Sequence, residues 1–243
     1  MRIIFSRKGF DTGSGGAPSP IIDGRPISLP IPTKRRSTTC YRDLGLGDVA
    51  ERVTRGRIGA DHLCHEDPMF FDGRCLFGQC GAAQSHLRRQ GVGVDDVFLF
   101  FGLFAEEKSG ERHHRIFAYM RIEQMIEGGS VQASTDEIKT APRQHPHTIG
   151  EWNANNCVYA GPGKLAGLAD PRLRLTTQGG PLRLWDVPPW LAKTGLSYHG
   201  RKERWRDRGQ LEIVSRGQEF VADVGDREEP KRWLDNLIKV IDG

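Results

Sequence analysis

VFLFFGLF, residues 97–104, is an unbroken apolar run with the length and composition of a strand buried on both faces. A charged, glycine-containing turn at residues 106–114 follows, and then RIFAYMRI, residues 115–122. Two apolar runs around a polar loop read as a β-hairpin or as neighbouring strands. Working outward, MRIIFSRKGFDTGSGG, residues 1–16, offers Ile3, Ile4 and Phe5 as another short buried strand. Chain ends are poorly ordered unless a sheet holds them, and here apolar residues are spent on doing so. CVYA, residues 157–160, reads as a further strand, and LEIVSRGQEFVADVG, residues 211–225, as two around Arg216 and Gly217. Alternation in ISLPIP, residues 27–32, suits an edge strand, where proline is tolerated.

Helical spacing appears between these runs. Residues 44–55 place Leu46, Val49, Ala50 and Val53 on one face, and residues 79–90 form a second helix closed by Gly91. Residues 228–241 form a third, with Pro230 in its first turn and an apolar face of Trp233, Leu234, Leu237, Ile238 and Ile241 that should dock on the sheet. The pattern predicts an α/β fold: one domain over residues 1–243, with a central mixed sheet flanked by helices. The run 91–122 is also similar to the central strands of PUA-like domains that read modified bases.

Composition bounds the function. Of 243 residues, 27% are charged and 37% apolar, as in an ordinary globular protein with ample core. No apolar run approaches the roughly 20 residues of a membrane span, and the N-terminus lacks the layout of a signal peptide. Five cysteines at irregular spacing argue against a disulfide framework and for the cytoplasm. Repeats, low-complexity segments and any sign of an obligate protein partner are absent. The net charge of +4 is too small by itself to demonstrate a polyanionic partner, but its placement is informative.

Two stretches concentrate chemistry. The first strand breaks into Ser6, Arg7, Lys8, Gly9, Phe10 and Asp11, then a turn rich in glycine. Ligands of open α/β sheets sit beyond the carboxyl ends of strands, so cations, a carboxylate and an aromatic at such an exit form a candidate site. A solvated turn is the bland alternative. The second stretch is RQHPHTIGEWNANNCVYAG, residues 143–161, with His145, His147, Glu151, Trp152, Asn153, Asn155 and Asn156. Histidine and asparagine can hold a base edge and tryptophan can stack on a base, although asparagines also form plain turns.

Metal spacing is not convincing. His62, Cys64, His65, Cys75 and Cys80 lack the paired spacing of structural zinc sites, and the His145/His147 pair has no evident third ligand nearby. The expectation is no metal and no cofactor. Basic residues fall in two places. Lys34, Arg35 and Arg36 precede hydroxyl side chains, a combination suited to phosphate. Residues 193–216 hold seven Lys/Arg against three Asp/Glu, a surplus equal to the whole net charge. Tyr198, His199 and Trp205 interleave there with Arg201, Lys202, Arg204, Arg206 and Arg208, as a surface that tracks phosphates and stacks bases requires. A solvated basic turn is the alternative.

MRIIFSRKGFDTGSGGAPSPI, VFLFFGLF, HPH…NNCVYAG and SRGQEFVAD together resemble the bacterial and phage family called nucleotide modification associated domain 3, through nearly the whole chain. That resemblance implies action on, or alongside, modified bases in DNA in phage–host conflict. It extends to anti-phage DNA glycosylases that remove hypermodified cytosines. The resulting expectation is a glycosylase acting on phage DNA. Asp11 would be its catalytic carboxylate, and His147 with Asn155 or Asn156 would hold the departing base. Phe10 or Trp152 would stack on a flipped base, Ser6, Arg7 and Glu151 would line the site, and Lys8 is the competing Schiff-base catalyst. Lys34, Arg35, Arg36, Tyr198, His199, Arg201, Lys202 and Arg204 would contact DNA. Two alternatives stay open: a transferase decorating a hydroxymethylated base, with a donor phosphate in the glycine-rich turn, and a non-catalytic PUA-like reader.

Overall fold

The computed structural model describes residues 1–128, 136–206, 209–215 and 219–243. The strands of its first half are β1 (Arg2–Arg7), β2 (Ser19–Ile22), β3 (Arg25–Pro26), β4 (Ile31–Pro32), β5 (Cys64–His65), β6 (Met69–Phe71) and β7 (Arg74–Gln79). They continue with β8 (Val97–Glu106), β9 (Arg112–Arg121), β10 (Gln124–Glu127), β11 (Cys157–Leu165), β12 (Leu184–Asp186), β13 (Trp205–Arg206), β14 (Gln210–Glu212) and β15 (Glu219–Asp223). The helices are α1 (Gly47–Thr54), α2 (Gly81–Arg89), α3 (Asp136–Thr140), α4 (Pro189–Thr194) and α5 (Glu228–Asp242).

One large mixed sheet in the order β15-β1-β8-β9-β11-β7-β6 organises the chain. The two apolar runs form its centre: β8 pairs antiparallel with β9 through a bulge between Phe100 and Phe101. β1 lies parallel to β8, Ile3 opposite Val97, and antiparallel to β15, Ser6 opposite Glu219. The α/β expectation holds. Among the described residues the strand path is open, and it does not close into the barrel of a PUA-like domain.

Alternation along β1 and β8 feeds two cores. Ile3, Phe5, Leu99 and Phe101 face one way, onto Trp185, Trp190 and the Leu234, Leu237 and Ile241 stripe of α5. Ile4, Phe98 and Phe100 face the other, onto Phe77, Tyr159 and Leu87 of α2. Burial on both faces explains why β8 reads as continuous apolar sequence rather than alternating. The ISLPIP strand shrinks to β4, which among the described residues pairs with β5, and this places Ile31 opposite His65. The two strands expected around Arg216 and Gly217 exist but belong to different sheets, β14 to a three-stranded one and β15 to the large one; residues 216–218 lie outside the described residues. No described helix is long and apolar enough to cross a membrane.

Two histidines of β9 make the fold sensitive to acid. Burial pushes the His113 imidazole down to about 4, helped by Arg174 and Arg115, and pushes His114 down to about 4, helped by Arg7. Trp185 Nε1–H donates to His114 Nδ1 at 3.2 Å. A histidine kept neutral by the fold lets the unfolded chain bind more protons as pH falls below its ordinary value. Stability is therefore complete above about pH 6.5 and declines toward pH 4, by about 1.4 kcal/mol per unit of pKa displacement for each group. Urea midpoints should fall steadily from pH 7 to pH 4.5. A flat profile would mean that neither imidazole is held neutral.

Candidate functional site

The end of β1 opens into a cavity. Lys8, the next residue, donates its backbone N–H to Phe101 O at 2.8 Å, and Gly9 turns the chain in the left-handed region at φ 78°. The cavity is about 250 Å3 and is walled by Arg7, Lys8, Asp11, Ser14, His65, Asp67, Gln79, Cys80, His147 and Trp152, among others. A second cavity of about 300 Å3 adjoins it, sharing Lys8, Gly9 and Asp67 and otherwise largely apolar, with Ile27, Phe70, Phe117 and Leu165. The two candidate stretches, far apart in sequence, thus meet at one place.

A residue to which the sequence pointed only weakly lines both cavities. Asp67 lies between β5 and β6, its side chain only 5% exposed. Its partner segment is brought in by a bidentate ion pair: Arg143 donates to both oxygens of Glu66 at 2.7 and 2.6 Å. That pair fastens residue 66 to the chain just before His145, where a short 3-10 turn (Pro146–Thr148) follows. Asp67 Oδ1 accepts the backbone N–H of Gly78 at 2.8 Å and lies 3.3 Å from His145 Nε2. Asp67 Oδ2 lies 3.6 Å from His65 Nε2 and 3.6 Å from His147 Nε2. Burial alone would push the Asp67 carboxyl up, but the imidazoles of His145, His65 and His147 around it outweigh that effect and hold it well below the usual carboxylate range.

His147 is fixed on every side. Asn156 Nδ2 donates to the His147 carbonyl at 3.0 Å, so its Oδ1 faces the ring and accepts from Nδ1 at 2.6 Å. The Nε2 lone pair is left pointing at Asp67. Burial pushes this imidazole down to about 4, against the pull of Asp67. Trp152 stacks on the ring at 4.0 Å and 11°, and the Arg36 guanidinium lies 4.2 Å from the Trp152 centroid. The indole N–H is buried with no hydrogen-bond partner among the described residues. The strand beneath has no side chain at Gly78, which is what lets the imidazole lie against it.

Two cations, Arg7 and Lys8, line the same cavity. Lys8 Nζ donates to Glu219 Oε1 at 3.0 Å, a carboxylate only 1% exposed that also accepts from Gln79 Nε2 at 2.7 Å. The ammonium lies 4.4 Å from the Phe77 ring centroid. Arg7 packs over Phe101 at 5.7 Å. Lys8 is therefore a paired, fixed charge.

Other expected residues fall into structural roles. Asp11 lines the cavity, but its Oδ1 accepts the N–H groups of Gly13 and Ser14 at 2.7 and 2.6 Å, holding its own turn. Phe10 is fully buried beneath that turn, edge-on to Tyr41 at 6.1 Å, in a satellite core with Leu29, Ala50 and Cys64. It is closed off from any base. Ser6 is buried within the sheet and Glu151 is exposed. Asn155 bridges the start of α2, accepting from Gly81 N–H at 2.9 Å and donating to Gly81 O and Ser85 Oγ.

Of the basic residues, Lys34, Arg35 and Arg36 are exposed, and Arg36 reaches the cavity through Trp152. Tyr198 is exposed and stacked on His86 at 4.3 Å. His199 is buried: it donates from Nδ1 to Ser197 O and accepts the Val214 N–H at Nε2, so it organises this loop from inside. Arg204 donates to the Glu212 carbonyl, while Arg201 and Lys202 are exposed. Arg208 lies outside the described residues. Asp67 had one signal in sequence, the His65-x-Asp67 spacing beside the His145-x-His147 pair, but only the fold joins the two.

No curated protein and no solved structure matches the chain. The family model described as nucleotide modification associated domain 3 matches residues 2–223, nearly the whole length, and the chain belongs to that family.

Proposed function

We propose that this protein removes a modified base from DNA by hydrolysing its N-glycosidic bond. Family membership associates the chain with modified nucleotides. The observation that carries the finer reading is the meeting of opposite charges in one cavity, lined by Arg7 and Lys8 and by the buried carboxylate of Asp67 among imidazoles. In the reaction, water adds to the sugar C1′ as the C1′–N bond breaks, and the bonding electron pair leaves with the base. Arg7 and Lys8 meet the negative charge developing on the base. The Asp67 cluster faces the electron-poor sugar and takes the proton that the water releases. Stacking of a flipped base on Trp152, in place of the buried Phe10, requires Arg36 to leave the ring face it covers, since His147 occupies the other. The adjoining apolar cavity offers room for a bulky substituent, which favours a hypermodified cytosine, as carried by phage DNA, over an ordinary base.

Mass spectrometry tests this on DNAs carrying plain, hydroxymethylated or glucosylated cytosine. The expected result is free modified base and an abasic strand. A gain of mass on the DNA would instead establish the transferase. Because Lys8 is engaged with Glu219, borohydride should trap no protein–DNA adduct; a trapped adduct would return Lys8 to the role of Schiff-base catalyst.

DNA affinity should fall steeply with salt. The double reversal Arg201→Glu and Lys202→Glu should weaken binding by about tenfold or more across sequences alike and reduce the salt slope by about 2. Fluorescence anisotropy at several salt concentrations measures both quantities. An unchanged slope would make this segment a solvated turn.

A further inference from the structure

Three lone-pair donors converge at the wall of the cavity. His65 Nε2, Asp67 Oδ2 and His147 Nε2 lie within 4.8 Å of one another, each nitrogen 3.6 Å from the oxygen. The His147 tautomer follows from its surroundings, without reference to titration. Its carbonyl only accepts, so Asn156 presents Nδ2 to the carbonyl and Oδ1 to the ring, and Nδ1 must donate. With Nδ1 engaged by Asn156, Nε2 is the ring nitrogen that faces Asp67 Oδ2, placed to share a cation with it.

The surroundings are those of a metal site. Asn156 behind His147 is the outer partner that orients a ligating imidazole. Asp67 Oδ1 is engaged by the Gly78 N–H, with His145 Nε2 beside it, which leaves Oδ2 free to turn toward a cation. First-row ions bind imidazole and carboxylate at about 2.0–2.2 Å, so their ligand atoms stand roughly 3–4 Å apart, close to what is seen. Two histidines and one carboxylate with room left for water or substrate is a set used by catalytic divalent ions. We propose that His65, Asp67 and His147 bind one first-row divalent transition-metal ion, with a further coordination position open to the cavity. The inference goes beyond glycosidic cleavage and does not need it, since the ligands are the same for hydrolysis, transfer or recognition of a base.

Cobalt(II) tests it on the full chain after stripping with EDTA. Titration should give visible d–d absorption that saturates at one ion per chain, and one equivalent of zinc(II) should bleach it. Because Asp67→Asn also removes the charge that the proposed reaction uses, His65→Gln is the diagnostic variant: its side chain is the most exposed of the three, at 18%. It should weaken cobalt binding by about tenfold or more while leaving the urea midpoint of the metal-free protein unchanged. Absence of saturable absorption, or wild-type affinity in His65→Gln, overturns the site. Base release is measured on the same samples. Stoichiometric cobalt binding without base release supports the metal site and defeats only the glycosidic reading. Undiminished base release by metal-stripped protein that takes up no cobalt defeats only the metal site.

Discussion

Asp67→Asn should lower base release by a factor on the order of 100 or more while the protein remains folded. The two side chains have nearly the same shape, and an amide oxygen can still accept the Gly78 N–H that Asp67 Oδ1 holds at 2.8 Å. What disappears is the charge. Asp67 is ionised in a place only 5% exposed, where a fixed charge acts on its surroundings far more strongly than it would in water. Asp11→Asn is the informative contrast. Its Oδ1 serves the N–H groups of Gly13 and Ser14, a duty that asparagine performs equally well, so turnover should fall less than about tenfold. Single-turnover rates of the two variants decide between the carboxylates. Equal losses, or a larger loss at Asp11, would move the chemistry back to the end of the first strand.

Gly78→Ala should be nearly as damaging, though it adds only a methyl group. A Cβ at this position would lie 2.2 Å from His147 Cγ and Cδ2, far inside contact distance, so the imidazole must leave its place. The ring cannot move alone. Asn156 holds its Nδ1, Trp152 covers its face, and Asp67 stands before its Nε2. Displacement of this stack should reduce base release by a factor on the order of 100, at a stability cost of about 1–3 kcal/mol typical of overpacking. Urea melts separate the two effects. Full activity in a folded Gly78→Ala protein would show that the position of the His147 ring has no part in the reaction.

Much of the architecture was legible in the chain. The strands at residues 2–7, 97–106, 112–121 and 157–165 announce themselves through apolar and β-branched runs, and α1, α2 and α5 through helical spacing with glycine or proline at their ends. Those signals are local, because burial on one face or both imposes a period on neighbouring residues. The convergence of the 6–11 and 145–156 stretches was also foreseeable, since both border strands that share a sheet. The roles inside the site were not. Asp11 and Phe10 look like a carboxylate and a stacking ring at a strand exit, and only the folded turn spends the first on backbone N–H groups and seals the second in a core. His199 reads as part of a basic surface until its two nitrogens are found satisfied inside the loop.

Asp67 shows the limit most plainly. Within a few residues, only the His65-x-Asp67 spacing distinguishes it from any acidic turn residue. Its neighbourhood is built by the Glu66–Arg143 pair, the pairing of β4 with β5 and the bare strand at Gly78 beneath His147, contacts that reach across 32 to 77 residues of chain. The sequence determined which segments would be strands and helices, because periodic burial is written residue by residue. Which carboxylate would face which imidazole was decided by the tertiary structure, because burial, charge and lone-pair direction at a site depend on neighbours that local spacing does not encode.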